Sequence, residues 1–98
     1  QLDHVRIEYA GGDCSCVLNT CSAITSHHGA VIFTAQPPGA LLSNSVISHS
    51  AGHGVTQGYE GRFVDFRATN TFQDIAGCAQ TRPRELSTSC PTPLPQCD

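Results

Sequence analysis

The 98-residue chain contains no Met, no Trp and no Lys, and only 13% of its residues are charged. Each shortage excludes something. With no Lys, five scattered arginines (Arg6, Arg62, Arg67, Arg82, Arg84) and a net charge of −3, no basic stripe exists to track a phosphate backbone. Nucleic acid is not an expected partner. No apolar run approaches the roughly 18 residues that a membrane-spanning helix needs, and no basic-then-apolar leader opens the sequence. Sparse charge also argues against disorder driven by self-repulsion. With no Met at position 1, and Gln1 directly before an apparent strand, the expected N-terminus is one cut from a longer product or left by signal-peptide removal.

What the chain does hold is a modest apolar fraction and many staples. A mass of 10.4 kDa allows about 64% of the unfolded surface to be buried, a small core for one domain. Hydrophobic residues make up 39%, and six cysteines are available for cross-linking. Chains of this size commonly add such staples.

Strand signals recur and helix signals do not. Leu2 to Tyr9 alternates apolar and polar residues through Val5, Ile7 and Tyr9, the period of a half-buried strand. Gly29 to Thr34 is a short β-branched run bounded by Gly29 and by Pro37-Pro38-Gly39. Leu42 to His49 and Phe63 to Phe66 read the same way. Gly52-His53-Gly54 reads as a turn. No window of eleven residues carries a helical apolar stripe clear of Gly and Pro.

The segments also repeat. Leu2 to Gly12 aligns without gaps on Leu42 to Gly52, and a weaker third copy runs from Asn70 to Gly77, with Asn70 matching Asn44 and Gly77 matching Gly52 after one deletion. Units that cannot bury their own apolar face stack on neighbours to do so. The expected stacking is Leu2 on Leu42, Val5 on Ser45 and Ile7 on Ile47 pointing inward, with Asn44 over Asn70 forming an amide ladder at a turn. The first period, 40 residues against about 26, then contains an insertion near residues 12–26.

The phrases LDHVRIEYAGG, LLSNSVISHSAGHGV and NTFQDIAGC resemble coils of the right-handed parallel β-helix, or pectate-lyase-like, superfamily of secreted and cell-surface bacterial proteins. The resemblance covers roughly residues 1–77. It implies an all-β fold with few coils over 1–77, a Cys-rich inserted loop, and a Cys/Pro-rich C-terminal cap over 78–98. It also implies that the polysaccharide lyases and hydrolases of the group are relevant comparisons. Those lyases use calcium-binding acidic clusters with a basic residue, and no DxD pair or calcium-loop spacing occurs here.

The cysteines form two clusters of three, Cys14, Cys16, Cys21 and Cys78, Cys90, Cys97. If all pair within the chain, an odd number of bridges joins the clusters. The preferred pattern is one bridge in each cluster and one between them, with Cys14 and Cys16 interchangeable as partners of Cys21. Their spacing is not that of a zinc knuckle. Disulfides place the chain in an oxidising setting: secreted, periplasmic or on the cell surface.

Candidate functional residues are few. His27, His28, His49 and His53 lie beside glycines near two turns and are the candidates for a transition-metal site, against the plainer reading of exposed turn residues. Asp65 with Arg67, and Asp74 nearby, are the acid–base candidates, read equally well as a surface charge pair and a turn Asp. Tyr9 and Tyr59, with His49 and His53, are the candidate binding residues for a sugar ring. No nucleophile elbow, Walker loop or dinucleotide fingerprint occurs, and no cofactor is expected. The functional expectation is a non-catalytic extracellular module, a structural or carbohydrate- or partner-binding scaffold that joins upstream coils, another chain or a homo-oligomer. The alternatives are a fragment of a polysaccharide lyase or glycoside hydrolase, and a self-assembling oligomer or filament subunit.

Overall fold

The computed structural model describes residues 1–11, 29–85 and 96–98. Cys14, Cys16, Cys21, His27, His28 and Cys90, and the inserted loop expected at 12–26, lie outside the described residues. Within them there are strands and no helix: β1 (Leu2–Asp3), β2 (Arg6–Glu8), β3 (Gly29–Phe33), β4 (Leu42–Ser43), β5 (Val46–Ser50), β6 (His53–Gln57) and β7 (Thr71–Ile75). All of the strand pairings are parallel, in three short sheets ordered β1-β4, β2-β5-β7 and β3-β6.

The register follows the repeat. Leu2 pairs with Leu42 and Ile7 with Ile47, while Val46 pairs with Thr71 and Ile47 with Phe72. The offset is 40 residues across β2 and β5 but 24 across β3 and β6. The extra chain of the first period therefore enters between Glu8 and Gly29.

Two of the expected strands are broken at their centres. Leu2 to Tyr9 splits into β1 and β2 at His4, and Leu42 to His49 splits into β4 and β5 at Asn44; these residues take φ of 55° and 49°. A left-handed residue turns the chain sharply, so each repeat makes a corner there. A second corner falls just after β2 and at the next-to-last residue of β5 and β7, where Tyr9, His49 and Asp74 have φ of 56°, 55° and 52°. Corners thus stack on corners: Asn44 N–H donates to Thr69 C=O at 2.7 Å, and His4 N–H to Ser43 C=O at 3.2 Å.

The amide ladder of Asn44 over Asn70 does not form. Asn70 sits one position along, opposite Ser45, and its Oδ1 accepts from Ser45 N–H at 3.1 Å. Ser45 Oγ in turn accepts from Val5 N–H at 3.1 Å. In the first two layers the amide just after the corner residue, that of Val5 or Ser45, is thus satisfied by a side-chain oxygen of the next layer where a strand ladder would use a carbonyl. Asn70 Nδ2 also donates to the carbonyls of Leu42 and Phe66, both at 2.9 Å.

The core is Leu42, Ile47, Val55 and Phe66, all essentially inaccessible, with Val5, Ile7, Val31, Phe33, Val64, Phe72 and Ile75 packed around them. Phe33 and Phe66 stack at 5.0 Å. Two expectations fail here. Gly52-His53-Gly54 is not a turn alone but leads into β6, the most buried strand. A Cβ on Gly54 would lie 2.5 Å from Ala79 C=O and 2.7 Å from the Phe72 ring, so close layer packing requires glycine there. Phe63 to Phe66 is not a strand, because side-chain amides occupy its backbone groups. Gln57 Oε1 accepts from Val64 N–H at 3.0 Å while its Nε2 donates to Val64 C=O at 2.8 Å, and Gln80 Oε1 accepts from Phe66 N–H at 2.8 Å.

At the far end, Cys78 and Cys97 form a disulfide, one bridge within the second cluster. It brings residues 96–98 against 80–82: Thr81 and Cys97 bridge antiparallel, Arg82 N–H donates to Gln96 C=O at 2.9 Å, and Asp98 N–H to Gln80 C=O at 3.1 Å. This antiparallel segment covers an edge that would otherwise accept another parallel strand.

Candidate functional site

The outer face of β2-β5-β7 is the surface at whose border three of the candidate residues, Tyr9, His49 and Asp74, meet. Ile7, Ile47 and Phe72 face inward, so the period of two turns Arg6, Val46 and Thr71, and Glu8, Ser48 and Gln73, to the other side, where Ser48 is nonetheless buried. This face is bordered by the two stacked corners. On the first, His4, Asn44, Ser45, Val46 and residues 68–71 line an open groove of about 550 Å³. Asp3 sits beside it, accepting from Asn44 Nδ2 at 2.9 Å and Ser43 Oγ at 3.1 Å, with His4 Nδ1 at 2.7 Å. The Asn44 amide, then His4 and Ser43, hold the Asp3 carboxyl below the ordinary carboxylate value.

On the second corner the left-handed residues make a row. The Tyr9 ring stacks on His49 at 4.6 Å with an interplanar angle of 18°, and His49 Nε2 lies 3.4 Å from Asp74 Oδ2. Tyr9 is 76% exposed. A bulky aromatic in the left-handed region is unusual, and the stack holds it there. Between the corners, Arg6 Nη1 and Glu8 Oε1 pair at 2.8 Å, and Arg6 keeps the Glu8 carboxyl below its usual value.

The structure therefore brings Tyr9, His49 and Asp74 together and separates the rest. Tyr59 is a core residue, 5% exposed; its hydroxyl donates to Gln57 Oε1 at 2.8 Å and lies 2.9 Å from Arg62 C=O. Its ring is unavailable to a sugar, and burial raises its phenol above the ordinary value. His53 is half-buried, with Nδ1 accepting from Cys78 N–H at 2.8 Å, so it braces adjacent layers. Asp65 serves the backbone: its Oδ1 accepts from Gln80 Nε2 at 2.9 Å and from Arg67 N–H at 3.0 Å. Those bonds, Gln80's foremost, lower its carboxyl. Arg67 reaches the Asp98 carbonyl instead, at 3.4 Å. Asp74 faces a histidine, and Asp65 an amide. Among the described residues no group of three or more His, Cys, Asp or Glu is placed to hold a metal ion.

Sequence reasoning missed the groove. Its polar lining is ordinary Asn, Thr and Ser, and only the stacking of corners collects them. The signal that could have found it is the recurrence of polar residues at His4, Asn44 and Thr69, the positions where each layer turns.

No family model, no curated protein and no solved structure matches this chain. Among the described residues no helix is long and apolar enough to cross a membrane.

Proposed function

We propose that the chain is a non-catalytic, extracellular module of the right-handed parallel β-helix type, a scaffold whose last layer is covered by residues 96–98 and whose strand β2 keeps an edge that nothing pairs with among the described residues. The observation that carries this reading is the parallel pairing of all four strand ladders among the described residues, with corners falling at equivalent positions in successive layers. Parallel strands joined by a crossover wind right-handed in nearly all known cases, and stacked layers of this kind give rigid scaffolds. The Cys78–Cys97 disulfide fits an oxidising, extracellular setting. No pair of carboxylates faces a common space at the candidate residues, since Asp65 caps a turn and Asp74 faces His49; this favours a scaffold over a polysaccharide-degrading fragment. Nuclear Overhauser contacts linking the amides of Ile7, Ile47 and Phe72 test the layered reading, and their absence overturns it. Product release from pectin- or alginate-like polymers, lost on Asp74→Ala or Asp65→Ala, would overturn the non-catalytic part.

A second reading, binding of a polyhydroxylated polymer, is favoured by the groove and the exposed Tyr9 ring at the two borders of one polar face. Amides and hydroxyls supply directional hydrogen bonds, and a flat ring supplies a stacking surface. Retention on an immobilised polysaccharide that weakens at least tenfold with Tyr9→Ala supports it; retention unchanged by Tyr9→Ala and Thr69→Ala together refutes it.

A further inference from the structure

We propose that the free edge of β2 pairs antiparallel with β2 of a second copy of this chain, about a two-fold axis at Ile7, forming a head-to-head dimer. The inference rests on the layered reading above and names the occupant of the β2 edge that is free among the described residues.

Backbone direction sets the register. Val5 C=O accepts from Val46 N–H at 3.0 Å, and Tyr9 N–H donates to Ser48 C=O at 3.1 Å. Main-chain groups alternate sides along a strand, so Val5, Ile7 and Tyr9 face β5, and Arg6 and Glu8 direct N–H and C=O to the opposite edge. Among the described residues nothing pairs with that edge. In an antiparallel pair, opposed residues alternate between those that exchange both hydrogen bonds and those that exchange none. Centring the pair on Ile7 makes Arg6 opposite Glu8 a bonded pair, twice over, giving four main-chain bonds.

The same register matches charge. Arg6 of one copy stands opposite Glu8 of the other, and Glu8 opposite Arg6, so the tripeptide Arg6-Ile7-Glu8 is complementary to itself. Opposite charges facing each other across strands are favourable and like charges unfavourable. Parallel docking on β7 of a second copy would set Thr71, Phe72 and Gln73 against Arg6, Ile7 and Glu8 and match no charge. The antiparallel segment 96–98 also lies across the far end of the β3-β6 stack, which obstructs head-to-tail growth. Finally, Leu2 (48% exposed) and Tyr9 (76%), the large apolar side chains left exposed among the described residues, both belong to the first layer, where a two-fold partner would cover them. A self-complementary patch meeting itself is the isologous interface of most dimers.

Light scattering on the non-reduced chain at about 100 µM measures mass. Twice 10.4 kDa is expected; the monomer mass overturns the proposal. Arg6→Glu alone and Glu8→Arg alone each oppose like charges and are expected to run as monomers, whereas their equimolar mixture, and the double variant, regain complementarity and the dimer mass. A dimer unaffected by either single reversal, or a mixture that stays monomeric, overturns the register. Arg6→Gln, which removes the match without repulsion, is expected to weaken dimerisation about tenfold and keeps the test available should a reversal unfold the chain. A monomer that still shows the Ile7–Ile47–Phe72 amide contacts refutes the dimer alone; loss of those contacts refutes the layered reading itself.

Discussion

Replacing Gln57 with Leu tests whether buried amides, and not strand pairing, hold the segment that carries Phe66. Gln57 is 1% exposed, and its amide serves Val64 N–H, Val64 C=O and the Tyr59 hydroxyl at 3.0, 2.8 and 2.8 Å. Leucine fills nearly the same volume, so no cavity forms and the change isolates hydrogen bonding. Each lost bond costs about 1 kcal/mol net, and a buried group left unpaired costs about 1–3 kcal/mol. Val64 is half-buried and regains some water, and Tyr59 keeps Arg62 C=O. Added apolar burial offsets roughly 1 kcal/mol. The balance is a loss of about 3 kcal/mol, or roughly 15 °C in Tm for a domain of this size. Thermal and urea unfolding with disulfides intact provide the measurement. Amide exchange should accelerate at Val64 and Phe66 while Ile47 stays protected. A loss below about 1 kcal/mol would refute the argument, since the segment would then be held by apolar packing of Phe66 alone.

Removing the Cys78–Cys97 bridge, whose partners are separated by 19 residues, should cost about 3 kcal/mol from restored chain entropy; the double Cys78→Ser, Cys97→Ser variant compared in urea checks it. Asp65, Asp3 and Glu8 all titrate below their ordinary values in the folded chain. Their stabilisation is therefore present above the unfolded carboxylate range near pH 4 and is lost as pH falls through the lowered folded values. Tm should fall from pH 5 to pH 3, and Asp65→Asn, which keeps Oδ1 as an acceptor, should flatten that slope.

The layered arrangement was legible because apolar residues repeat: Leu2 with Leu42 and Ile7 with Ile47 fix the register, and Ile7 with Ile47 the inward face, whereas Leu2, expected inward, is 48% exposed. Of the corners only that at Asn44 was expected as a turn of the stack; the others were not, because His4, Tyr9, His49 and Asp74 take a conformation that propensity assigns mainly to Gly and Asn. Strand β6 was hidden for the opposite reason. Gly54 reads as a turn, yet it is there because the next layer leaves no room for a side chain. Matching Asn70 to Asn44 by identity misplaced the third layer by one residue, whereas hydrogen bonding selects Ser45 as its partner. Phe63 to Phe66 has strand-like composition, but nothing local says that Gln57 and Gln80 will take its amides. Of the candidate residues, Tyr9, His49 and Asp74 met only because their corners stack; they share no local sequence motif.

Single-residue corners aligned through successive layers have a consequence for length variation. Adding or deleting one residue between two corners would rotate every later side chain of that layer to the wrong face and break its alignment with the layers on either side. Insertions and deletions are therefore tolerable only where no ladder runs. The stretch between Glu8 and Gly29 already accommodates the change of offset from 40 to 24, and it is where relatives of this chain would be expected to differ most in length while keeping the spacing from Val46 to Ser50 unchanged.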